Sequence, residues 1–588
     1  MRVLVIHPED DLQGEPWVSQ RWDRVIDLGR AGAESYARAT ERLGCPISPL
    51  SEFRESFDEM RRVRELLALG MGKLMDDFGL DWWELTAILV HQQLEIAYLL
   101  GRVVERLGAS DEVHVSRPCF QADVLRLRLG PRLQVFPPSP DLRRGSARHY
   151  LQLLKKFPLP QLFEFFWDKY DPSYQMRGVF NVKRRAMSEA VVLMPSNYGN
   201  VSRTAAAYAE ILPGIRFLLV LTRRSGRLEQ APANVTTAWL RRYASVRAPS
   251  RRREVSDLLQ RWNRLQDELK SVPEIQTLEQ LGCFGEFPDR FARGVEIRDA
   301  WRNVLDSEPV QAVICADDSN PYTHIPLLLA KERGLPAIAC HHGALDGRYM
   351  FKRSHADVLL AKGKMEEDYL VRLCGIPPEI VRIGAPALPA VLGSKTSDPK
   401  KTSIVFFSEA YEVGGGRGQS YYQDVLPALA DLAISHQREL VIKLHPSESL
   451  SERTRFIEQT LSPAQRQVTR VVSGPLGSDL LGRAWFAVTV MSTVVVECTL
   501  REVPCFLCAW LEAWPYGYDD QFDRFDLGIR LKAREEIPQI PAVLESQARS
   551  PSPRENCWLP IDAERLRTLL AVGRASSTAN RSIAQNTQ

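Results

Sequence analysis

Short runs of apolar residues alternate with longer segments of mixed polarity along most of the chain. Val3–Ile6, Phe217–Leu221 and Ala312–Ala316 are continuously apolar, with no polar residue inside the run. Strands of parallel sheets show this pattern because crossover helices cover both of their faces. The segments between the runs are long enough to form those helices. The alternation therefore predicts an α/β architecture of parallel sheets.

The predicted strands fall into three successive groups, which define the expected domains. The first group is Val3–Ile6, Val25–Leu28, Val113–Ser116 and Leu133–Phe136; the second is Ala190–Met194, Phe217–Leu221, Ala312–Ala316 and Ala337–Cys340; the third is Asp357–Ala361, Ser403–Phe407, Glu439–Leu444, Val468–Val472, Ala484–Val490 and Cys505–Leu507. We predict an N-terminal α/β region of unassigned role at 1–187, with a long helical insert and a helical connector at its end. Two Rossmann-like doubly wound domains that face a cleft follow at 188–350 and 351–572, and a disordered tail at 573–588.

Composition narrows the range of partners and compartments. The 588 residues carry a net charge of only +3, so nucleic acid is not an expected partner. No apolar stretch reaches the ~18 residues of a membrane span, and the N-terminal run is too short for a signal peptide. The ten cysteines are scattered except for Cys505 and Cys508, which we predict to lie in a buried strand. We expect a cytoplasmic protein.

The sharpest local signal is His445-Pro446, which directly follows a predicted strand that contains Lys443. Ligands of open parallel sheets bind beyond the carboxyl ends of the strands, where this histidine is expected. Proline restricts the turn and holds the imidazole outward, so that it can hydrogen-bond a phosphate leaving group. The alternative is a turn histidine with no ligand.

A second signal is Ser492-Thr493, which lies between the strand Ala484–Val490 and a predicted helix that carries Glu497. Hydroxyl groups beside a helix start suit a phosphate, and a plain helix cap is the alternative.

At the end of an earlier strand, His342-Gly343 is expected to face a cleft, with a core or turn histidine as the alternative. Arg417 follows a glycine-rich loop in which it would lie near a phosphate, and a flexible surface loop is an equal interpretation.

Together these segments resemble a known group of enzymes. The phrases "CHHGALDGRYMFKRSHADVLLAKGKMEEDYL", "VIKLHPSES" and "VMSTVVVECTLREVPCFL" are similar to GT-B glycosyltransferases of bacterial capsule and wall polymers. That group includes capsular Kdo transferases, bacterial sialyl- and polysialyltransferases and CDP-glycerol glycerophosphotransferases. The resemblance covers about residues 190–560. It implies that His445, Pro446, Ser492 and Thr493 bind the phosphate of a cytidine nucleotide, and that Glu497 holds its ribose or base. Lys443 and Arg417 are further candidate donor ligands. A peripheral association with the inner membrane or a polysaccharide-assembly complex is left open.

The same resemblance implies an acidic general base in the N-terminal half of the enzyme. Asp317 and Asp318 follow the strand Ala312–Ala316, and we predict Asp317 as the base, with Asp318 as the second choice. His324 is expected to orient the base or to contact the acceptor. Asn197, in the first strand-to-helix loop, is a candidate acceptor ligand. For the acidic pair and for this loop, a plain turn or cap is the alternative.

The expected activity is transfer of Kdo or a related acidic sugar from a CMP-activated donor to a growing bacterial surface glycan or glycolipid. The nucleotide sugar is a co-substrate, and no metal or other cofactor is expected, because the sequence has no cluster of residues with metal-ligand spacing. Alternatives are a CDP-glycerol or UDP-sugar transferase, a UDP-sugar 2-epimerase, and a non-catalytic scaffold of polysaccharide assembly.

Overall fold

The computed structural model describes most of the chain in separate ranges. They are 1–10, 15–54, 58–137, 187–244, 249–343, 348–387, 401–409, 411, 417–446, 448–474, 476, 478–511, 518–546 and 554–571. The predicted tail, the connector before residue 187 and most of the glycine-rich loop before Arg417 lie outside the described residues. None of the described helices combines the length and the apolar composition needed to cross a membrane.

Three parallel sheets form the framework, and the predicted α/β class is confirmed. The first comprises β1 (Arg2–Ile6), β2 (Arg24–Asp27), β3 (Ile47–Pro49), β4 (Glu112–Val115) and β5 (Leu133–Val135); the second comprises β6 (Val191–Ser196), β7 (Arg216–Leu221), β8 (Val235–Trp239), β9 (Val310–Cys315), β10 (Ala337–Cys340), β11 (Val358–Ala361) and β12 (Val381–Ile383); the third comprises β13 (Ser403–Phe407), β14 (Glu439–Lys443), β15 (Thr469–Val472), β16 (Ala484–Thr489), β17 (Cys505–Cys508) and β18 (Ile529–Leu531). Their orders are β3-β2-β1-β4-β5, β12-β11-β10-β9-β6-β7-β8 and β15-β14-β13-β16-β17-β18. In each sheet the strand that comes first in the chain lies in the interior of the sheet. Later strands are added first on one side of it and then on the other, as in a Rossmann fold.

Helices connect most of the successive strands. In chain order they are α1 (Ala33–Leu43), α2 (Asp58–Ala68), α3 (Trp82–Ala87), α4 (His91–Glu105), α5 (Phe120–Leu129), α6 (Gly199–Ile211), α7 (Pro249–Leu269), α8 (Pro273–Gln280), α9 (Phe287–Ser307), α10 (Pro321–Glu332), α11 (Lys364–Asp368), α12 (Gly418–Ser435), α13 (Leu450–Thr460), α14 (Pro463–Gln467), α15 (Ser478–Arg483), α16 (Val494–Leu500), α17 (Tyr518–Arg524), α18 (Ile540–Ser546) and α19 (Ala563–Ala571).

The chain divides into two compact units that do not follow the predicted domain order. Unit 1 contains Met1–Arg61, Ile96–Arg143 and Leu388–Trp558, and unit 2 contains Arg62–Glu95, Arg144–Ala387 and Leu559–Gln588. The N-terminal sheet therefore shares a unit with the third sheet. The predicted boundary at residue 350 falls inside the second sheet, because β11 pairs with β10 and β12 pairs with β11. A run of apolar residues shows that a strand is buried but not which sheet it joins.

Each unit has an apolar core formed by its strands and the helices that cover them. In unit 1, Phe406, Ile442 and Phe506 are fully buried, and Cys505 and Cys508 are buried free thiols within β17, as predicted. At about 25 cal/mol per Å² of buried apolar area, such side chains supply the main favourable contribution to folding.

In unit 2, the segment around α3 is held by packing and by buried charge. Trp82 lies so close to Gly294 of α9 that a Cβ atom at this glycine would be 2.2 Å from the indole ring. Arg298, with a side chain only 1% exposed, donates 2.9 Å hydrogen bonds to Asp76 and Glu254. These contacts explain why a segment from the first third of the sequence belongs to unit 2.

A buried ion pair joins the two sheets of unit 1. The Arg417 guanidinium contacts the Asp27 carboxylate, with Nε 3.0 Å from Oδ2, and donates to the carbonyl oxygens of Asp10 and His7. Both side chains of the ion pair are at most 5% exposed. Removing one member of such a pair leaves an uncompensated buried charge. The pair therefore constrains how the N-terminal sheet packs against the third sheet within unit 1.

We expect Arg417→Ala to lower the free energy of unfolding by about 3–5 kcal/mol, because Asp27 would lose its counter-charge. The matched control is Arg470→Ala, which removes an arginine paired with Glu439 at the surface and should cost about 0–1 kcal/mol. Urea denaturation followed by circular dichroism measures both values. Equal losses in the two variants would contradict a structural role for the buried pair.

Candidate functional site

In unit 1, polar residues collect at the carboxyl ends of β13, β14 and β16. We define the histidine edge as Ser408, Glu409, His445, Pro446, Ser492 and Thr493. β14 and β16 both pair in parallel with β13, so their ends lie roughly 10 Å apart across the central strand. The order in which strands are added to the sheet reverses between β13 and β16, and ligands of open parallel sheets bind at such switch points.

The His445 loop is held by Glu448, whose carboxylate is only 2% exposed. The Glu448 carboxylate accepts a 2.9 Å hydrogen bond from the His445 backbone amide and 2.8 Å hydrogen bonds from Tyr422 and Arg453. The imidazole of His445 is thereby left at the exposed surface of the edge, together with Pro446. Partial burial, reinforced by Lys443, lowers the pKa of His445, so the ring is neutral at pH 7.

Ser492 lies across the switch point from Glu409. Its hydroxyl hydrogen-bonds the Glu409 carboxyl group and accepts from the backbone amide of Val494 at 3.4 Å. Burial raises the pKa of Glu409 to about 7, although the contacts with Ser492 and the Met491 amide oppose the rise. A carboxyl group with this pKa can donate or accept a hydrogen bond near neutral pH.

The other predicted donor ligands take different positions. Thr493 precedes α16 without a side-chain capping bond, and Glu497 is half-buried in the first turn of that helix. Lys443 is 7% exposed, and its ammonium group donates to the Leu444 carbonyl at 2.9 Å. Arg417 is not at this edge, because its side chain is engaged with Asp27 as described above. The prediction of Arg417 as a donor ligand is therefore withdrawn.

In unit 2, a second polar group lies at the carboxyl ends of β6, β9 and β10. We define the acidic edge as Asn197, Tyr198, Asp317, Asp318, His341 and His342. The switch point of this sheet lies between β6 and β9, so Asn197 and Asp317 flank it. Asn197 is 3% exposed, and its side-chain oxygen has no hydrogen-bond partner among the described residues.

The two adjacent carboxylates have different surroundings. Asp318 is fully buried, and its Oδ1 lies 3.4 Å from the Lys352 ammonium group. Burial alone would raise the pKa of Asp318, but Lys352, together with smaller contributions from His324 and Tyr349, outweighs it, and the pKa lies below its ordinary value. Asp317 is 4% exposed and accepts a 3.2 Å hydrogen bond from the Ser319 amide. Asp318 is therefore part of a buried ion pair.

His324, in α10, lies near Asp318 and is 3% exposed. Burial and, to a smaller extent, Lys352 lower its pKa to about 3, so the ring is neutral. Its burial disfavours contact with an acceptor from solvent.

His342 is fixed in one tautomer by two neighbours. Its Nδ1 lies 3.1 Å from the Ala316 carbonyl oxygen, to which it must donate, and its Nε2 therefore accepts the hydrogen bond from the Tyr198 hydroxyl. His341 stacks on His342 with ring centroids 5.0 Å apart. Burial lowers the pKa of His341 well below its ordinary value. Both histidines are thus held in defined positions beside the acidic pair.

Four residues at these edges were not singled out in the sequence: Glu448, Glu409, Lys352 and Tyr198. Glu448 stands three residues after His445, a spacing that allows a carboxylate to bind the amide of the turn. Tyr198 and Glu409 follow predicted strands directly, so the carboxyl-end rule could have identified them. Lys352 follows no strand and reaches Asp318 only through the tertiary fold. In the described part of the chain, no cluster of His, Cys, Asp and Glu is arranged to hold a metal ion.

Comparisons with known proteins give a match in the middle of the chain. Residues 308–509 match the model of a family described as "Putative glycosyltransferase (DUF6716)", which is roughly a third of the chain. The matched segment includes Asp317, His342, His445 and Ser492. No curated protein matches the sequence significantly.

Several solved structures are similar in fold, each with low identity. The UDP-GlcNAc 2-epimerase from Methanocaldococcus jannaschii is 11% identical, with 65% of this chain and 99% of that chain covered and a TM-score of 0.41. A glycosyltransferase from Rickettsia africae is 10% identical, with coverage of 68% and 98% and a TM-score of 0.37. MurG from Acinetobacter baumannii is 13% identical, with coverage of 66% and 95% and a TM-score of 0.34. By the family match alone, residues 308–509, which carry the histidine edge and the part of the acidic edge from Asp317 to His342, are glycosyltransferase-like in sequence.

Proposed function

We propose that the protein is a GT-B type glycosyltransferase that moves Kdo or a related acidic sugar from a CMP-activated donor to a growing bacterial surface glycan or glycolipid. The observation that carries this proposal is the histidine edge. There, Glu448 holds the backbone of His445 and leaves the imidazole exposed at a topological switch point. The family match supports sugar transfer, and the resemblance of the His-Pro and Ser-Thr segments supports cytidine.

At the histidine edge, each residue has a chemical task in this proposal. The neutral imidazole of His445 donates a hydrogen bond to the donor phosphate and stabilises the charge that develops as the bond to the anomeric carbon breaks. Ser492 and Thr493 offer hydroxyl donors to the same phosphate. Glu497 binds the ribose or base from α16. The buried Glu409 positions Ser492 through their hydrogen bond.

At the acidic edge, Asp317 removes the proton from the acceptor hydroxyl as that oxygen attacks the anomeric carbon. Asp318 is held ionised by Lys352 and positions the turn. Asn197, whose side-chain oxygen has no partner among the described residues, accepts a hydrogen bond from the acceptor, and His342, held by Tyr198 and the Ala316 carbonyl, positions Tyr198 beside it. We propose that hydrogen bonds from these side chains replace a metal ion in the reaction.

The nucleotide preference is tested by thermal shift of the purified full-length protein. We expect CMP or CDP to raise the melting temperature more than UDP or GDP. Ligand at about 100 times its dissociation constant stabilises the folded state by about 2.7 kcal/mol. A larger shift with UDP would reject the cytidine assignment and favour a UDP-sugar enzyme, and no shift with any nucleotide would favour a non-catalytic scaffold.

We expect His445→Ala to reduce transfer by about 100- to 1000-fold, because one preorganised donor to the leaving phosphate is lost. CMP affinity should also fall, while the melting temperature without ligand should not change, because the imidazole is exposed. The control is His436→Ala, which changes a histidine that precedes β14 at its opposite end and packs at a tilt against Trp485. Normal turnover in His445→Ala would show that His445 is only a turn residue.

The acidic pair is tested by separate substitutions. Asp317→Asn should lower transfer by about 100- to 10,000-fold and leave CMP affinity unchanged, because the amide cannot accept the proton. Asp318→Asn should instead lower stability by about 3–5 kcal/mol, because it leaves the buried Lys352 charge uncompensated. Adding Lys352→Met to Asp318→Asn should recover part of that stability. Near-normal transfer in Asp317→Asn would place the base elsewhere.

A further inference from the structure

A cavity of about 500 Å³ lies in unit 1, apart from the histidine edge. It opens beyond the carboxyl ends of β1 and β2, where the loop Pro8–Asp10 and helix α1 form one wall. The first turn of α12 and the end of α13 form the other. The volume is within the range of about 300–1,000 Å³ that is typical of small-molecule sites. The cavity therefore occupies the ligand position of the N-terminal sheet.

Two polar side chains that line this cavity, Ser420 and Gln423, make no hydrogen bond within the described part of the chain. Ser420 is only 8% exposed, and its hydroxyl group makes no hydrogen bond within the described chain. The Gln423 amide, one turn further along α12, is also without a hydrogen-bond partner there. Burying a hydroxyl group without a partner is unfavourable, so such a group points to a ligand or bound solvent at this place.

The charges around the cavity favour one anionic group. Arg38 and Arg417 are neutralised by Asp424 and Asp27. The Glu9 and Asp10 carboxylates, which also line the cavity, are paired with Arg117. Arg42 forms no ion pair in the described part of the chain and is the remaining charge. The 18-residue helix α12 begins at the cavity, with neither an acidic residue in its first turn nor a side-chain cap. Its amino-terminal end therefore carries partial positive charge that is available to an anion.

We infer that this cavity binds a sugar phosphate. Hydroxyl and amide side chains such as Ser420 and Gln423 suit the hydroxyl groups of a sugar, and Arg42 with the start of α12 suits one phosphate group. None of the described residues that line the cavity is aromatic, so they offer a nucleobase no stacking surface. This site is on a different sheet from the histidine edge and does not depend on the function proposed for that edge.

The test uses the full-length protein with a cysteine reporter at the rim. Gln459 lines the cavity and is exposed, whereas each of the ten native cysteines is buried or half-buried. In Gln459→Cys, we expect glucose 1-phosphate to slow maleimide labelling of the new thiol, as followed by peptide mass spectrometry. Glucose alone should protect much less. Absence of protection by glucose 1-phosphate would overturn the proposal, and equal protection by glucose would overturn its anionic part.

Second-site variants locate the phosphate. Adding Arg42→Ala should weaken protection by glucose 1-phosphate about 10-fold, because one charge-assisted contact is lost. Arg21→Ala is the matched control, since this exposed arginine precedes β2 at the opposite end of the strand. Adding His445→Ala should leave protection unchanged. Equal effects of Arg42→Ala and Arg21→Ala, or loss of protection in the His445→Ala variant, would contradict the assigned site.

Discussion

Parallel strand pairing is the constraint on which the rest of this structure depends. Every pairing within the three sheets of the described residues is parallel, so all carboxyl ends of a sheet lie on one edge. Residues far apart in sequence, such as Ser408, His445 and Ser492, therefore become neighbours, and the His445 backbone amide donates a 3.3 Å hydrogen bond to the Ser408 hydroxyl. The same rule brings Asn197 and Asp317 together in unit 2. The candidate chemistry of the protein lies at edges that the pairing alone creates.

Buried charge separates residues that support the fold from residues that are available to ligands. Asp27 with Arg417, and Asp318 with Lys352, satisfy each other inside the protein, because an isolated buried charge would be costly. His445 differs, since Glu448 binds its backbone and leaves the side chain exposed. Arg417 and Asp318 therefore support the fold, although the sequence alone makes them look as suitable for binding or catalysis as their neighbours.

Much of the secondary structure could be predicted from the apolar pattern. Ala337–Cys340 and Ser403–Phe407 were predicted with the bounds that the structure has, and most other central strands within two or three residues. The strands that the pattern did not reveal are β3, β8, β12 and β18, and all four lie at the edge of a sheet. An edge strand has only one neighbour and is less completely covered, so it lacks the continuous apolar run of a central strand.

The sequence by itself determined the α/β class, the central strands and the position of His445, Ser492 and Asp317 just beyond strand ends, because these are consequences of local order along the chain. Only the tertiary structure decided that β11 belongs to the second sheet, that Arg417 pairs with Asp27, and that Lys352 neutralises Asp318. These three outcomes depend on contacts between segments distant in sequence. Hydrophobic burial is non-directional, so an apolar run or a charged residue does not specify which distant partner it will meet.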